Sequence, residues 1–208
     1  MSERVFTIGH STQTAEHFIE LLQAHGISAI ADVRSSPYSR TNPQFNRETL
    51  RETLRQCGIA YVFLGSELGA RSKDPRCYRA GKVQYDLLAQ TTSFQEGIAR
   101  VIEGSQKYSV CLMCAEKDPL ECHRAILVGR ELHERGIAVI HVLADGRTES
   151  HEELVARMLN RLHLAGGDML SSRDELVEQA YRAQGEIIAY QDEAMREVEP
   201  AADFGGRR

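Results

Sequence analysis

The sequence predicts a three-layer α/β fold: a mostly parallel sheet of about five strands with helices on both faces, followed by a helical C-terminal extension. Three observations carry this. Five strand-sized apolar runs alternate with segments of helical period. The run Val-Cys-Leu-Met-Cys at 110–114 is apolar at every position, the pattern of a strand covered on both faces. The chain has 208 residues and is 42% apolar, enough for the core of one full domain and an extension.

Taken in order, residues 4–9 read as the first strand, ending at His10 and Ser11. A helix over 14–25 follows with Phe18, Leu21 and Leu22 on one side, and Gly26 stops it. The second strand, 28–33, runs into the polar loop Asp32-Val33-Arg34-Ser35-Ser36-Pro37-Tyr38-Ser39-Arg40, which has neither strand nor helix periodicity. Phe45 and Leu50 stand at staple spacing around Asn46, so a helix is expected from Asn46 to about Gly58. Residues 59–64 form the third strand. Behind it lie Gly65-Ser66-Glu67-Leu68-Gly69 and a charged loop to about Lys82, a length usual for functional or mobile loops.

Residues 83–90 fit a short helix, and Ser93 with Glu96 has the spacing of a capping box opening a longer one to about Gly104. The fourth strand, 108–114, turns through Asp118-Pro119 into a helix expected over 119–135. Asp118 is a good N-cap, Pro119 suits the first helical position, and Glu121 completes a capping box. Gly136 ends that helix, 137–143 is the fifth strand, and Asp145-Gly146 leads into a helix capped by Ser150 with Glu153. Residues 1–165 make the α/β domain and 166–198 the helical extension. The tail 199–208 has the composition of a disordered segment.

Composition excludes several classes. The apolar stretches are strand-sized, too short to span a membrane, and the N-terminus lacks the hydrophobic segment of a signal peptide, so a cytoplasmic protein is expected. Five cysteines are too few for a disulfide scaffold, and in a reducing compartment they serve as thiols or ligands. The net charge of −5 is concentrated late: residues 174–203 hold nine acidic residues against Arg182 and Arg196. Within 34–82 the balance reverses, ten basic residues against four acidic ones, compatible with an anionic ligand, a nucleic-acid backbone, or a solvated helix face. Tyr38, Phe45, Tyr78 and Tyr85 interleave with it, as base-stacking or ordinary packing residues would.

The parallel strands place their polar ends on one rim: His10 and Ser11, then Asp32, Arg34, Ser35 and the nearby Ser39, then Glu67, then Cys114 and Glu116. Such a rim suits acid/base chemistry on a bound anion, since Arg offers a bidentate clamp and carboxylates and imidazole move protons. His10, Glu116, Cys114 and Glu67 are the candidate catalytic residues. Ser11, Asp32, Arg34, Ser35, Ser39, His123 and Arg124 are the candidate ligand-binding residues. Cys111 and Cys114 point to opposite faces by strand period, so this CxxC is neither a redox loop nor a zinc knuckle. Cys122 shares a helical stripe with Ala125, Gly129 and Leu132 and is expected in the core. His123 and Arg124 fall off that stripe, which would send Arg124 to the crevice. A zinc site of Cys114, Cys122, His123 and His10 stands as an alternative; otherwise no metal is expected, and the spacing specifies no cofactor.

Four blocks also resemble the domain-of-unknown-function 488 family: Thr7-Ile8-Gly9-His10-Ser11, Asp32-Val33-Arg34-Ser35-Ser36-Pro37-Tyr38-Ser39, Leu64-Gly65-Ser66-Glu67-Leu68-Gly69, and the run from Cys114 through Glu116 to Cys122-His123-Arg124. They occur in family order over 7–124. The resemblance implies a compact cytosolic α/β domain with these blocks clustered, and no particular activity.

Three functional readings follow. The leading one is a hydrolase or transferase acting on a phosphate-bearing ligand such as a nucleotide or nucleic-acid component, with Arg34 and Arg124 as clamps and Glu116 or His10 as acid/base. The second is a non-catalytic nucleic-acid or nucleotide binder. The third is a metal-binding or thiol-redox protein centred on Cys114 and Cys122. The partner is then an anionic small molecule or nucleic acid, with no membrane involved and the oligomeric state open.

Overall fold

A computed structural model describes residues 4–166 and 171–196. The elements, in chain order, are β1 (Arg4–Gly9), α1 (Ala15–Ala24), β2 (Ala29–Asp32), α2 (Arg47–Gln56), β3 (Ala60–Phe63) and α3 (Gly65–Leu68). A small hairpin, β4 (Tyr78–Arg79) and β5 (Lys82–Val83), comes next, then α4 (Tyr85–Ala89), α5 (Thr92–Ser105) and β6 (Val110–Cys114). The chain finishes with α6 (Arg130–Glu134), β7 (Ala138–Val142), β8 (Thr148–Ser150), α7 (His151–Arg161) and α8 (Arg173–Ile188).

The sheet has six strands in the order β3-β2-β6-β1-β7-β8. The first five are parallel, as expected, and β8 adds an antiparallel edge. The sequence reading missed β8, whose residues Thr-Glu-Ser carry no apolar alternation and pair only along one side. It also missed β4 and β5, which shape the long loop after α3. Alternation sorts the central side chains: Phe6, Ile8, Ile30, Cys111 and Met113 pack under α1 and α2, while Val5, Ala31, Val33, Leu112 and Cys114 pack under α5 and α6. Cys111 and Cys114 therefore do face opposite ways.

Most caps are as expected. Gly26 follows the end of α1 in the left-handed conformation at φ 63°, and Ser150 and Glu153 form a reciprocal capping box on α7; Thr14, expected as the first residue of the α1 helix, is its N-cap. The cap of α5 is a correction: Thr91 accepts from Phe94 N–H, two residues ahead of the expected Ser93. The larger correction is the helix expected over 119–135. Pro119–Glu121 is a single 3-10 turn, Cys122 is extended at φ −140° and ψ 134°, and only then does a π-helical segment, Arg124–Gly129, lead into α6. Asp118 accepts from Leu120 N–H as an N-cap should, but Glu121 turns outward to Arg161 instead of closing a capping box.

The C-terminal extension packs back on the domain. Ala180 and Tyr181 of α8 join Leu120, Ala125, Ile126, Leu154 and Met158 in one apolar cluster, and Gln184 donates to the Leu120 carbonyl at 2.8 Å. The expected tail 199–208 lies outside the described residues. No helix among the described residues is long and apolar enough to cross a membrane.

Candidate functional site

β1 and β6 are neighbours, and their connections leave for opposite faces, α1 to one and α6 to the other. That divergence opens a crevice at their carboxyl ends. The ladder continues past the strands: His10 N–H donates to Cys114 O and Ser11 N–H to Ala115 O, both at 2.9 Å, and Val33 N–H donates to Met113 O at 3.1 Å. Gly9 allows this closeness, because a Cβ there would lie 1.8 Å from Glu116 O. The loops after β1, β2 and β6 thus leave the sheet side by side, as the rim argument required.

The break at Cys122 sets what meets there. Because the chain is extended at this residue, Cys122 and His123 turn back over the end of β6 instead of continuing a helical stripe. Cys114 Sγ lies 3.8 Å and Cys122 Sγ 4.0 Å from His123 Nδ1. One donor atom from each of the three residues falls within 4.8 Å of the others, all buried. His123 Nε2 contacts the Val33 carbonyl at 3.0 Å. A carbonyl only accepts, so Nε2 carries a proton, and in the neutral ring the Nδ1 lone pair then faces the sulfurs. Glu116 brings a carboxylate oxygen to 2.9 Å from Cys122 Sγ.

Three acids and an imidazole share this small buried volume, and their protonation is mutual. Cys114 is pushed well up by its hydrogen bond to Cys122 and by burial. Burial works against the Cys122 thiolate, but the bond from Cys114, the Arg124 cation and His123 outweigh it, making Cys122 the thiolate of the pair. Burial, and then the Cys122 charge, push Glu116 up. Burial lowers His123, yet its contact with Cys122 and the nearby negative charge raise it overall.

The other expected residues divide. His10 sits at the rim but belongs to the opposite face, like Phe6 and Ile8. Its ring stacks on Phe45 with centroids 4.3 Å apart, and its Nε2 accepts from Arg34 Nη1 at 3.1 Å. Burial and the Arg34 cation hold it down at about 4, so it is neutral and outside the cysteine cluster. The alternative metal set is corrected accordingly: strand alternation removes His10, and Glu116 stands closer. Arg34 is committed to Asp32 by paired contacts at 2.9 and 2.7 Å and to the Phe45 carbonyl, while Asp32 also accepts from Tyr61 Oη at 2.7 Å.

Arg124 is the clearest correction. Helical periodicity places it off the buried stripe and toward the crevice, but it is fully buried, and Nη1 donates to the Glu116 carbonyl at 2.7 Å and Nη2 to the Lys117 carbonyl at 3.2 Å. The i→i+5 geometry of Arg124–Gly129 buries all six residues, which an α-helical stripe does not do.

Glu67 turns away to pair with Arg100 and lines a different hollow with Gly65, Gly69 and Lys73. Ser39 is occupied in its own loop, taking Asn42 N–H at 3.1 Å. Ser11 adopts a left-handed φ of 48° at the turn after β1. Ser35 reaches the site, its Oγ accepting Arg71 N–H at 3.0 Å. The aromatic residues of the basic stretch do not form a stacking platform, since Phe45 and Tyr78 are core residues.

A cleft of about 210 Å³ opens in front of Cys114, Glu116 and His123, walled by Arg34, Ser35, Arg71, Tyr85 and Tyr190. From the sequence, Arg71 counts only as one of the basic residues of 34–82, and Tyr190 is not singled out. Neither carries a motif, and Tyr190 reaches the cleft only because the segment after α8 returns to the β4–β5 hairpin, with Lys82 bridging Gln191 and Val83 N–H donating to Tyr190 O at 3.0 Å.

The family described as Domain of unknown function DUF488 matches residues 14–130, more than half of the chain. The chain belongs to that family. No curated protein and no solved structure matches it. The DUF488 match covers the β2, β3 and β6 rims and all four residues of the thiol cluster, but stops before β7 and before Ile188 and Tyr190, which help wall the cleft.

Proposed function

We propose that this DUF488 protein is a zinc protein of the catalytic kind, with Cys114, Cys122 and His123 as ligands, a fourth position open to the cleft, and Glu116 beside it to handle a proton. The carrying observation is the convergence of two sulfurs and an imidazole nitrogen within 4.8 Å, with the tautomer fixed by the Val33 carbonyl. An S2N donor set suits zinc, three protein ligands with an open position typify catalytic zinc, and a carbonyl on the far nitrogen is the usual outer support of a histidine ligand. A divalent cation also neutralises a buried group of acids that otherwise relies on shared protons. A hydrolase or transferase reaction on an anionic substrate is consistent with this chemistry. The support for nucleotide or nucleic-acid binding through Arg34 and Arg124 is weaker, because both guanidinium groups are engaged within the fold.

Metal analysis of protein purified without chelator, under reducing conditions, tests this. Stoichiometric zinc is expected, lost in Cys114→Ser, Cys122→Ser and His123→Asn and kept in Cys111→Ser and His10→Asn. Absence of zinc together with failure to take up added zinc overturns it, as does a Cys114–Cys122 disulfide in the protein as isolated.

A further inference from the structure

We propose that the cleft before the metal position holds a small oxyanion, a carboxylate or phosphate group, gripped by Arg71 at the rim and by the metal at the floor. This rests on the zinc reading above. The two arginines the sequence favours are unavailable to a ligand: Arg34 serves Asp32, and Arg124 serves two main-chain carbonyls.

Arg71 differs from both. It is exposed, and among the described residues no carboxylate lies within ion-pair range of it. Its guanidinium stacks over the Tyr190 ring, 4.6 Å from the centroid. Stacking occupies one face of the group and leaves its in-plane N–H fork, the edge that matches an oxyanion, available. The stack is anchored at both ends by main-chain N–H donors: Arg71 N–H to Ser35 Oγ at 3.0 Å, Val83 N–H to Tyr190 O at 3.0 Å and Asp192 N–H to Gly81 O at 2.7 Å.

The two carboxylates that share this cleft are already engaged, Glu121 with Arg161 and Glu116 with Cys122. At about 210 Å³ the cleft is smaller than the roughly 300–1,000 Å³ usual for drug-sized ligands, so it accepts a small anion or the anionic end of a larger molecule. The C-terminal extension, through Tyr190, therefore completes the ligand site instead of merely covering the domain.

Cobalt-substituted full-length protein, titrated separately with inorganic phosphate and with acetate and followed by its visible absorption, tests the proposal. One of the two anions should perturb the cobalt spectrum saturably, and which one does so at lower concentration names the class. Arg71→Ala should take up cobalt as wild type does but bind that anion about ten- to a hundredfold more weakly, the scale of lost charge-assisted hydrogen bonds. Arg71→Lys should recover only part, since it keeps the charge without the fork. A chain that takes up no cobalt overturns the zinc reading and this one with it. A chain that takes up cobalt, but whose spectrum ignores both anions or responds equally in Arg71→Ala, overturns the oxyanion site alone.

Discussion

Arg124 shows how one residue can be decisive for the loop it holds. A buried cation donating to the carbonyls of Glu116 and Lys117 pins the segment that carries Glu116 toward Cys122. Arg124→Ala removes a large buried side chain and orphans two carbonyls, so a loss of about 3 kcal/mol or more is expected from urea unfolding. A change within about 0.5 kcal/mol, the range of a surface substitution, would contradict the assignment. Gly9→Ala makes the complementary case from across the gap: its methyl would meet Glu116 O, and a comparable loss of stability is expected. That His10, Asp32, Arg34, Cys114 and Glu116 lie at neighbouring strand ends was legible from the sequence, whereas Glu67 and Ser39, expected beside them, turn elsewhere. Which of them share a face was not, because the parity of His10 against Cys114 depends on the Gly9–Cys114 register of two strands a hundred residues apart.

At the scale of elements, legibility followed the strength of local signals. The five parallel strands were readable from apolar runs, and the caps at Thr14, Ser150 and Ser172 hold in place the helices that periodicity suggested. The stretch after β6 failed because the same residues, Asp118-Pro119 followed by an apolar run, also suit a 3-10 turn, a break and a π-helix. Its side chains are buried against both the sheet and α8, so tertiary packing decided between them. The distinction has measurable consequences. Ser150→Ala, which removes a true cap, should cost about 1 kcal/mol in urea unfolding. Glu121→Gln, in the position once expected to close a capping box, should fall within about 0.5 kcal/mol of wild type, as an exposed ion pair does. If Glu121→Gln cost as much as Ser150→Ala, the outward orientation of Glu121 would be wrong.

Across the whole molecule, a buried polar chain ties the sheet to the C-terminal extension. Thr7 Oγ1, His141, His151 and Tyr181 Oη follow one another at 2.8, 3.1 and 2.8 Å. Burial, and then His133, bring His151 to about 3; burial also takes His141 well below its ordinary 6.5, and His10 rests at about 4. These folded values lie below the unfolded one, so between about pH 6.5 and 4 the unfolded chain binds more protons. Their stabilisation is complete above pH 6.5 and declines as pH falls, down to about 4 for His10 and on to about 3 for His151, each histidine adding up to about 1.4 kcal/mol per pH unit. His123, raised in the folded state, acts oppositely and only above 6.5. Urea unfolding at pH 7, 6 and 5 should therefore show a steep decline on the acid side, and equal midpoints at pH 7 and 5 would contradict the neutral buried histidines.

The zinc reading meets its most direct test in X-ray absorption at the zinc edge of the protein as isolated. The account predicts two sulfur scatterers at roughly 2.3 Å and one histidine nitrogen at roughly 2.0–2.1 Å, with a light atom at the remaining position. A first shell of oxygen and nitrogen alone, or of four sulfurs, would contradict the site of Cys114, Cys122 and His123.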